Sequence, residues 1–355
     1  MTYVLPSRCF FALSTVLAAT LFSLGGASKE AAATPPSSAT DYALFAERDI
    51  TLESYSTILG DSYTASNLNI EFAFGIQRPD RNQGDFYAQG DILTTNGLSD
   101  INGSLFANGA IAFDSVIDVF GDATYGSTIS ANAPSVVDGA ITQSPDSVPN
   151  IGLPAVTGFS SGLENYVEQP GENVVVLAPG AYRNVSLTSQ TDELHLSAGD
   201  YYMRRLDTWI STELHLDLTG GPINVFVEND IFMESGLKVF VNGEELLQST
   251  SSPPPSNASL ASDVTFEVHG DFTIDSGFLS SFFGTVFAPF GDIVVDTQGF
   301  YGSMISGRSI RGDFYLEHHA SNRLSGSTVP EPSTYAMAVL GLVGLGVVAR
   351  RRRKR

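Results

Sequence analysis

Short apolar runs separated by glycine-aspartate pairs recur along this chain. Gly270-Asp271-Phe272, Gly291-Asp292-Ile293 and Gly312-Asp313-Phe314 follow one another at an interval of 21 residues. Each pair opens a strand-like run, Phe272-Thr273-Ile274, then Ile293-Val294-Val295, then Phe314-Tyr315-Leu316. Alternating side chains on such runs point to opposite faces, and glycine at the corners permits tight turns. A fixed interval of this size predicts a solenoid, in which a coil buries its apolar face only by stacking on its neighbours. The expected fold is therefore all-β, a right-handed parallel β-helix with coils of about 19–21 residues.

The same unit is legible elsewhere. Arg48-Asp49-Ile50, Gly90-Asp91-Ile92 and Asn229-Asp230-Ile231 repeat the corner, and the copies at Asp230 and Asp271 lie 41 residues apart, an interval read as two coils. A second unit, Gly103-Ser104-Leu105-Phe106-Ala107, returns as Gly284-Thr285-Val286-Phe287-Ala288 and again as Gly302-Ser303-Met304-Ile305-Ser306. In the middle of the chain Leu177-Ala178-Pro179-Gly180-Ala181-Tyr182 and Leu196-Ser197-Ala198-Gly199-Asp200-Tyr201 are 19 apart, while Glu193-Leu194-His195-Leu196 recurs as Glu213-Leu214-His215-Leu216 at 20. Two stretches lose the repeat. Residues 144–173 carry Pro145, Pro149, Pro154 and Pro170 and are expected to cross between two sets of coils, with a short helix over 161–166. Residues 249–262, with Pro253-Pro254-Pro255, read as a loop thrown out from one coil. The coils accordingly divide into 41–143 and 174–320.

Composition supports this reading. The chain has 34 glycines, 23 phenylalanines and 13 tyrosines but only 16% charged residues, which favours turns and strands over surface helices. A formal charge of −21 excludes a protein that neutralises phosphates by bulk charge, so no nucleic-acid partner is expected. The single cysteine, Cys9, lies in the leader described next, which leaves no thiol for disulfides, thiolate catalysis or metal binding.

Both ends read as addresses. One basic residue, Arg8, precedes an apolar run that closes on Leu24-Gly25-Gly26-Ala27, which marks residues 1–27 as a secretory signal peptide cut after Ala27 or after Ala33. Residues 28–40 form a flexible spacer rich in Ala, Pro, Ser and Thr. After a linker over 321–329, residues 330–355 hold Pro330-Glu331-Pro332, an apolar stretch over 335–349 and six terminal cations, Arg350 to Arg355. This C-terminus resembles the PEP-CTERM sorting signal of Gram-negative bacteria. The resemblance implies recognition by a membrane-embedded exosortase, cleavage near Pro330, Glu331 and Pro332, and delivery to the cell surface or an extracellular matrix. An apolar run of 15 residues spans about 22 Å as a helix against a bilayer core of about 30 Å, which suits a transient anchor with the arginines on the cytoplasmic side. The competing reading is a permanent tail anchor with snorkelling arginines. Removal of Arg8 takes the charge from −21 to −22, and removal of the six terminal cations takes it to −28.

The Leu-x-x-Gly-x-Tyr coils of residues 41–320 resemble those of secreted bacterial β-helix proteins, including ice-binding-like and polymer-forming surface proteins. Candidate chemistry within them is sparse. If their strands stack one coil apart, Glu193, His195, Glu213 and His215 share one outer face and suit a divalent metal, with a solvated polar ladder as the alternative. Asp49, Asp91, Asp122, Asp230, Asp271, Asp292 and Asp313 suggest either Ca2+ along one edge or, more simply, capping of each turn's backbone amides. Asp275, Asp296 and Asp313 are candidates for a polysaccharide lyase or hydrolase pair, though no acidic cluster stands apart from the repeat. Arg311-Gly312-Asp313 spells an adhesion tripeptide but also repeats the corner, and Trp209, Tyr201 and Tyr202 suit sugar stacking or plain packing. No sustained Thr or Ser ladder points to ice binding. The sequence thus reads as an exported structural or adhesive surface protein, handled by signal peptidase and exosortase, whose scaffold binds exopolysaccharide; a β-helix polysaccharide enzyme is the alternative.

Overall fold

The computed structural model describes residues 35–53, 56–71, 82–95, 98–132, 135–167, 173–189, 192–246, 256–275, 281–320 and 324. The expected signal peptide at 1–27 and the sorting segment at 330–355 lie outside the described residues, as do 28–34 of the spacer and all of the linker but Leu324. The described body is nearly all β, a parallel solenoid of about 12 turns with a 3-10 helix only at Ala39–Asp41 and Ala258–Asp263.

Alternation builds the coils. Ile92–Thr95, Glu193–Ser197 and Ile310–His318 each bury every second residue, and the buried ones form a single apolar column through the stack. Three faces result. On the second face, strands pair in parallel in the order Tyr166–Val167, Asn184–Ser186, Arg205–Thr208, Ile231–Glu234, Phe272–Asp275, Ile293–Ser306, Ile310–His318, and then Ile50–Leu52, Leu68–Glu71, Ile92–Thr95, Ile111–Phe113 and Ile129–Ala131.

That order begins in the middle of the sequence. The first coil of the chain stacks on its last: Leu44 pairs with Met304, Ile50 with Ile310, and Ile58 with Leu316, one pairing on each face. Residues 43–143 extend from this seam to one end, and residues 166–318 return from the other end to the seam. Backbone bonds close it, among them Met304 N to Ala43 O at 2.9 Å and Glu53 N to Gly312 O at 2.8 Å, with an Arg311–Glu53 ion pair outside.

Such a path requires the chain to travel back along the whole stack, and residues 144–167 do so. Asn108 holds both the N–H (2.9 Å) and the carbonyl (3.1 Å) of Val148; Tyr63 donates to Pro149 O at 3.0 Å; Glu267 accepts from Thr157 N at 2.6 Å; Glu228 accepts from Ser161 N at 2.7 Å; and Gly162 N bonds Tyr182 O at 2.8 Å. The 14 steps from Val148 to Gly162 supply about 46 Å when extended, and nine coil spacings of about 4.8 Å require about 43 Å. A helix over those residues reaches only about 21 Å. The expected helix at 161–166 is accordingly absent: the segment stays extended and ends in the strand Tyr166–Val167, paired to Val185 and Ser186. Beneath this strap lies a second apolar layer of outward residues from the first face, including Phe45, Tyr63, Tyr87, Phe287 and Ile305, covered by Val148 and Ile151. For this reason Leu44–Ala46 and Phe86–Ala88 are buried on both sides, where an open coil strand would alternate, and Ser281–Ala288 is buried throughout because the helix Ala258–Asp263 also packs against it.

Two repeat assignments are corrected. The Asp230 and Asp271 corners are one coil apart, because Ile231 pairs directly with Phe272 and the intervening chain leaves the coil through the hairpin Lys238–Val241 and Glu244–Glu245 and the helix Ala258–Asp263. Gly312-Asp313 is not a corner but the inside of strand Ile310–His318, opposite Val295 and Asp296, so this coil is 17 residues long and its corner is Arg308-Ser309. Gly312 is required there for another reason: with φ +152°, a Cβ would lie 1.7 Å from Val295 O.

Two outcomes follow from the seam. Ile58→Ala and Leu316→Ala should each cost about 3 kcal/mol of unfolding free energy, and the double variant should lose less than their sum because the two side chains share one contact; denaturant titrations measure this. Beside the seam, burial and the adjacent His319 pull the His318 imidazole down to about 4. An unfolded histidine titrates near about 6.5, so between these values protons bind the unfolded chain preferentially. The contribution of His318 to stability is intact above about pH 6.5 and falls by on the order of 3 kcal/mol as pH drops to about 4. Melting curves of wild type and His318→Gln across that range should show a shallower acid slope in the variant.

Candidate functional site

The third face carries the densest cluster of metal-type ligands among the described residues. Strands Val174–Leu177, Glu193–Ser197, Glu213–Asp217 and Lys238–Val241 pair in register there, so Val174, Glu193, Glu213 and Lys238 form one column, and Val176, His195, His215 and Phe240 form the next. Alternation sends Leu194, Leu196, Leu214 and Leu216 into the core and leaves the polar side chains outside, half-buried. All four residues singled out from the sequence are brought together. The identical Glu-Leu-His-Leu strings made that legible.

The rings stack. His195 and His215 are parallel within 2° at a centroid separation of 4.2 Å, and Phe240 continues the stack 4.4 Å beyond His215. His195 Nε2 lies 2.7 Å from Glu193 Oε2, whereas His215 Nε2 is 3.7 Å from the same oxygen and 3.6 Å from Glu213 Oε2. Those two distances exceed hydrogen-bond range, and the buried His215 Nε2 has no hydrogen-bond partner. Lys238 Nζ holds Glu213 Oε1 at 3.1 Å. Burial, and then the neighbouring His195, lower the His215 pKa against the opposing pull of Glu193 and Glu213, which favours the neutral imidazole. A shallow depression of about 490 Å3 opens beside the ring pair, lined by Val176, Ser197, Asp217 and Asn242 among others. Sequence reasoning missed Phe240 and Lys238, since the Lys-Val-Phe-Val strand shares no letters with its two neighbours beyond its alternation.

The repeated aspartates are employed differently. Asp49 Oδ1 accepts from Asn67 N at 3.0 Å, Asp91 from Ala110 N at 2.7 Å, Asp230 from Asp271 N at 2.9 Å, Asp271 from Asp292 N at 2.9 Å, and Asp292 from Ser309 N at 3.0 Å. Asp122 does the same for Ala140 N at 2.7 Å. Each carboxylate therefore caps the corner amide of the following coil, where capping of its own turn was expected. Asp313 is excepted, being in a strand.

Asp275, Asp296 and Asp313 fall into one column, with Asp275 beside Asp296 and Asp296 beside Asp313. Burial raises the Asp296 carboxyl above its usual range, and the charges of Asp275 and Glu53 add to the effect. Arg311-Gly312-Asp313 lies within a strand, with Gly312 buried and Arg311 paired to Glu53, so the tripeptide is not displayed on a loop. Tyr201 is buried and its hydroxyl bonds Ser197 and Leu177; Tyr202 stacks on Phe226, with Phe159 of the strap tilted against both; Trp209 remains exposed. The outward column of the second face mixes Thr273, Val294, Arg311, Thr51, Asn69 and Leu93, which is not a threonine ladder.

Fold and cluster together define a parallel β-solenoid with acid-capped corners and an imidazole stack on one face. Residues 328–354 match the PEP-CTERM protein-sorting motif, and residues 162–323 match a domain of unknown function (DUF7305). The motif makes this an exported surface protein, anchored in the membrane before exosortase processing. Among the described residues no helix is long and apolar enough to cross a membrane, and the apolar stretch 335–349 lies outside them. No curated protein matches the chain. Among solved structures it is similar to an ice binding protein from an Antarctic bacterium, Flavobacteriaceae, at 12% identity and a TM-score of 0.27, over 79% of this chain and 97% of that one.

The corner ladder is directly testable. Asp271→Ala removes the acceptor for Asp292 N and should cost about 1–3 kcal/mol, while Asp271→Asn keeps an oxygen in place and should cost less than half as much; chemical unfolding distinguishes them.

Proposed function

We propose that the protein is a non-catalytic surface or matrix scaffold whose coil stack binds exopolysaccharide, released to the exterior by exosortase. The observation that carries this reading is the seam. Because the first and last coils are neighbours, the chain enters and leaves the stack at its interior, with seven second-face strands on one side and five on the other. The sorting segment follows from that point, and two arms extend away from it. The recurrent aspartates support the same reading, since their corner positions are spent on holding coils together.

A second reading, a polysaccharide-cleaving enzyme, is favoured by the Asp275, Asp296 and Asp313 column, because glycoside hydrolysis uses paired carboxyl groups and burial raises the Asp296 carboxyl above its usual range. One preparation discriminates. Protein recovered from its native host should have the mass of a chain shortened at both ends, remain with the cell surface or matrix, and sediment with host exopolysaccharide without shortening it. Chain cleavage that disappears in Asp296→Asn would establish the enzyme and overturn the scaffold.

A further inference from the structure

We propose that Glu193, His195 and His215 bind a divalent transition-metal ion, with zinc as the best fit, and that the ion clamps two successive coils on the third face. Four Glu-x-His pairs occur in the described body, at Glu193-His195, Glu213-His215, Glu267-His269 and Glu317-His319. Three of them close a hydrogen bond within the pair, at 2.7, 3.2 and 3.1 Å. His215 is the exception. Its Nε2 is buried and unbonded, yet faces two carboxylate oxygens at 3.6 and 3.7 Å. A buried polar nitrogen left in this state is unfavourable unless something further occupies its lone pair.

At His215 the geometry fits a metal better than a hydrogen bond. Ligand atoms around a tetrahedral zinc lie about 3.3 Å apart, given bonds of about 2.0–2.2 Å. Here the Glu193 oxygen is 2.7 Å from one imidazole nitrogen and 3.7 Å from the other, and one ligand atom from each of the three residues falls within 4.8 Å of the rest. The two imidazoles, parallel in the stack, tilt toward each other to direct both nitrogens at one ion. The scaffold limits larger movements: the strand pairing fixes His195 against His215, and Phe240 stacks on the far side of His215. Lys238 retains Glu213, which leaves three protein ligands and a fourth position facing the depression beside Ser197 and Asp217. Two imidazoles and one carboxylate suit zinc and its neighbours in the transition series, while calcium and magnesium prefer all-oxygen sets. This site is independent of whether the body is a scaffold or an enzyme.

Zinc titrated calorimetrically into untagged, chelator-treated full-length protein should bind one ion per chain with micromolar or tighter affinity. His195→Gln and His215→Gln should each weaken binding at least about tenfold, as loss of a ligand does, and Glu213→Gln should leave it within about threefold because Lys238 already holds that carboxylate. A variant with altered folding would be recognised from its metal-free melting curve. In the wild type alone, zinc should shift the His195 and His215 imidazole resonances and spare those of His269 and His319. Millimolar binding, equal affinity in the His195→Gln/His215→Gln double variant, or shifts confined to other histidines would overturn the proposal.

Discussion

The parallel pairing of the first coil on the last determines most of what is distinctive in this protein. In an ordinary solenoid each coil meets only its sequence neighbours, and stability is close to a sum of local interfaces. Here one interface joins residues 258–260 positions apart, Ile50 with Ile310 and Ile58 with Leu316, through hydrogen bonds and apolar contact without covalent continuity. Until residues 304–306 have been placed, strand Leu44–Ala46 has an unpaired edge, which is both a slow long-range closure and an aggregation hazard. At the seam the ladder of corner aspartates is replaced by a backbone bond: Ser309 takes the corner and its N–H bonds Asp292 Oδ1, Ile310 N bonds the Asp49 carbonyl, and Asp49 Oδ1 resumes the ladder by accepting from Asn67 N.

The strap is the topological consequence. A chain that begins inside the stack must travel from one end to the other, and only an extended backbone covers that length in the residues at hand. The unpaired peptide groups of an extended segment need partners, and Asn108, Glu267 and Glu228 supply some of them from the coil surface. Outward aromatics that would otherwise meet water on the first face, notably Phe45 stacked on Tyr63 and Tyr87 stacked on Phe106, become a second core. Glu267, fully buried, is tolerated because it accepts from Thr157 and from His269. The seam and the strap therefore depend on each other.

Local periodicity was legible in the sequence, and long-range placement was not. Alternation at Glu193–Ser197 and Glu213–Asp217 specified both strands and their outer residues, so the histidine pair could be located from four repeated letters. The Gly-Asp interval was a weaker guide. A dipeptide can mark a corner, as at Asp271 and Asp292, or sit within a strand, as at Asp313, and the interval of 21 is the same in both cases. Within either arm, the intervals between strand-opening paired residues of the second face run from 17 to 25, and reach 41 between Ile231 and Phe272 where the hairpin and short helix are inserted, because excursions of different length are accommodated without disturbing the strands between them. Nothing in the composition of Leu44–Ala46 distinguishes it from any other coil strand, so its partnership with Met304–Ser306 has no local signature.

Charge separates the two arms that meet at the seam. Between residues 82 and 182 there is no lysine or arginine, so the outer coils of the N-terminal arm carry Asp100, Asp114, Asp118, Asp122 and Asp138 without a cation among them. The other arm holds Arg183, Arg204, Arg205 and Lys238 among its acids. An anionic polymer approaching the protein is repelled along the outer coils of the first arm, whereas the second arm presents cations among its acids, and the repulsion extends over about 8–10 Å at moderate ionic strength. The imidazole stack lies on this second arm, with Lys238 at its edge. A bound divalent ion there would add positive charge to the arm that already carries these cations, so an anionic polymer would be repelled less there than along the outer coils of the first arm.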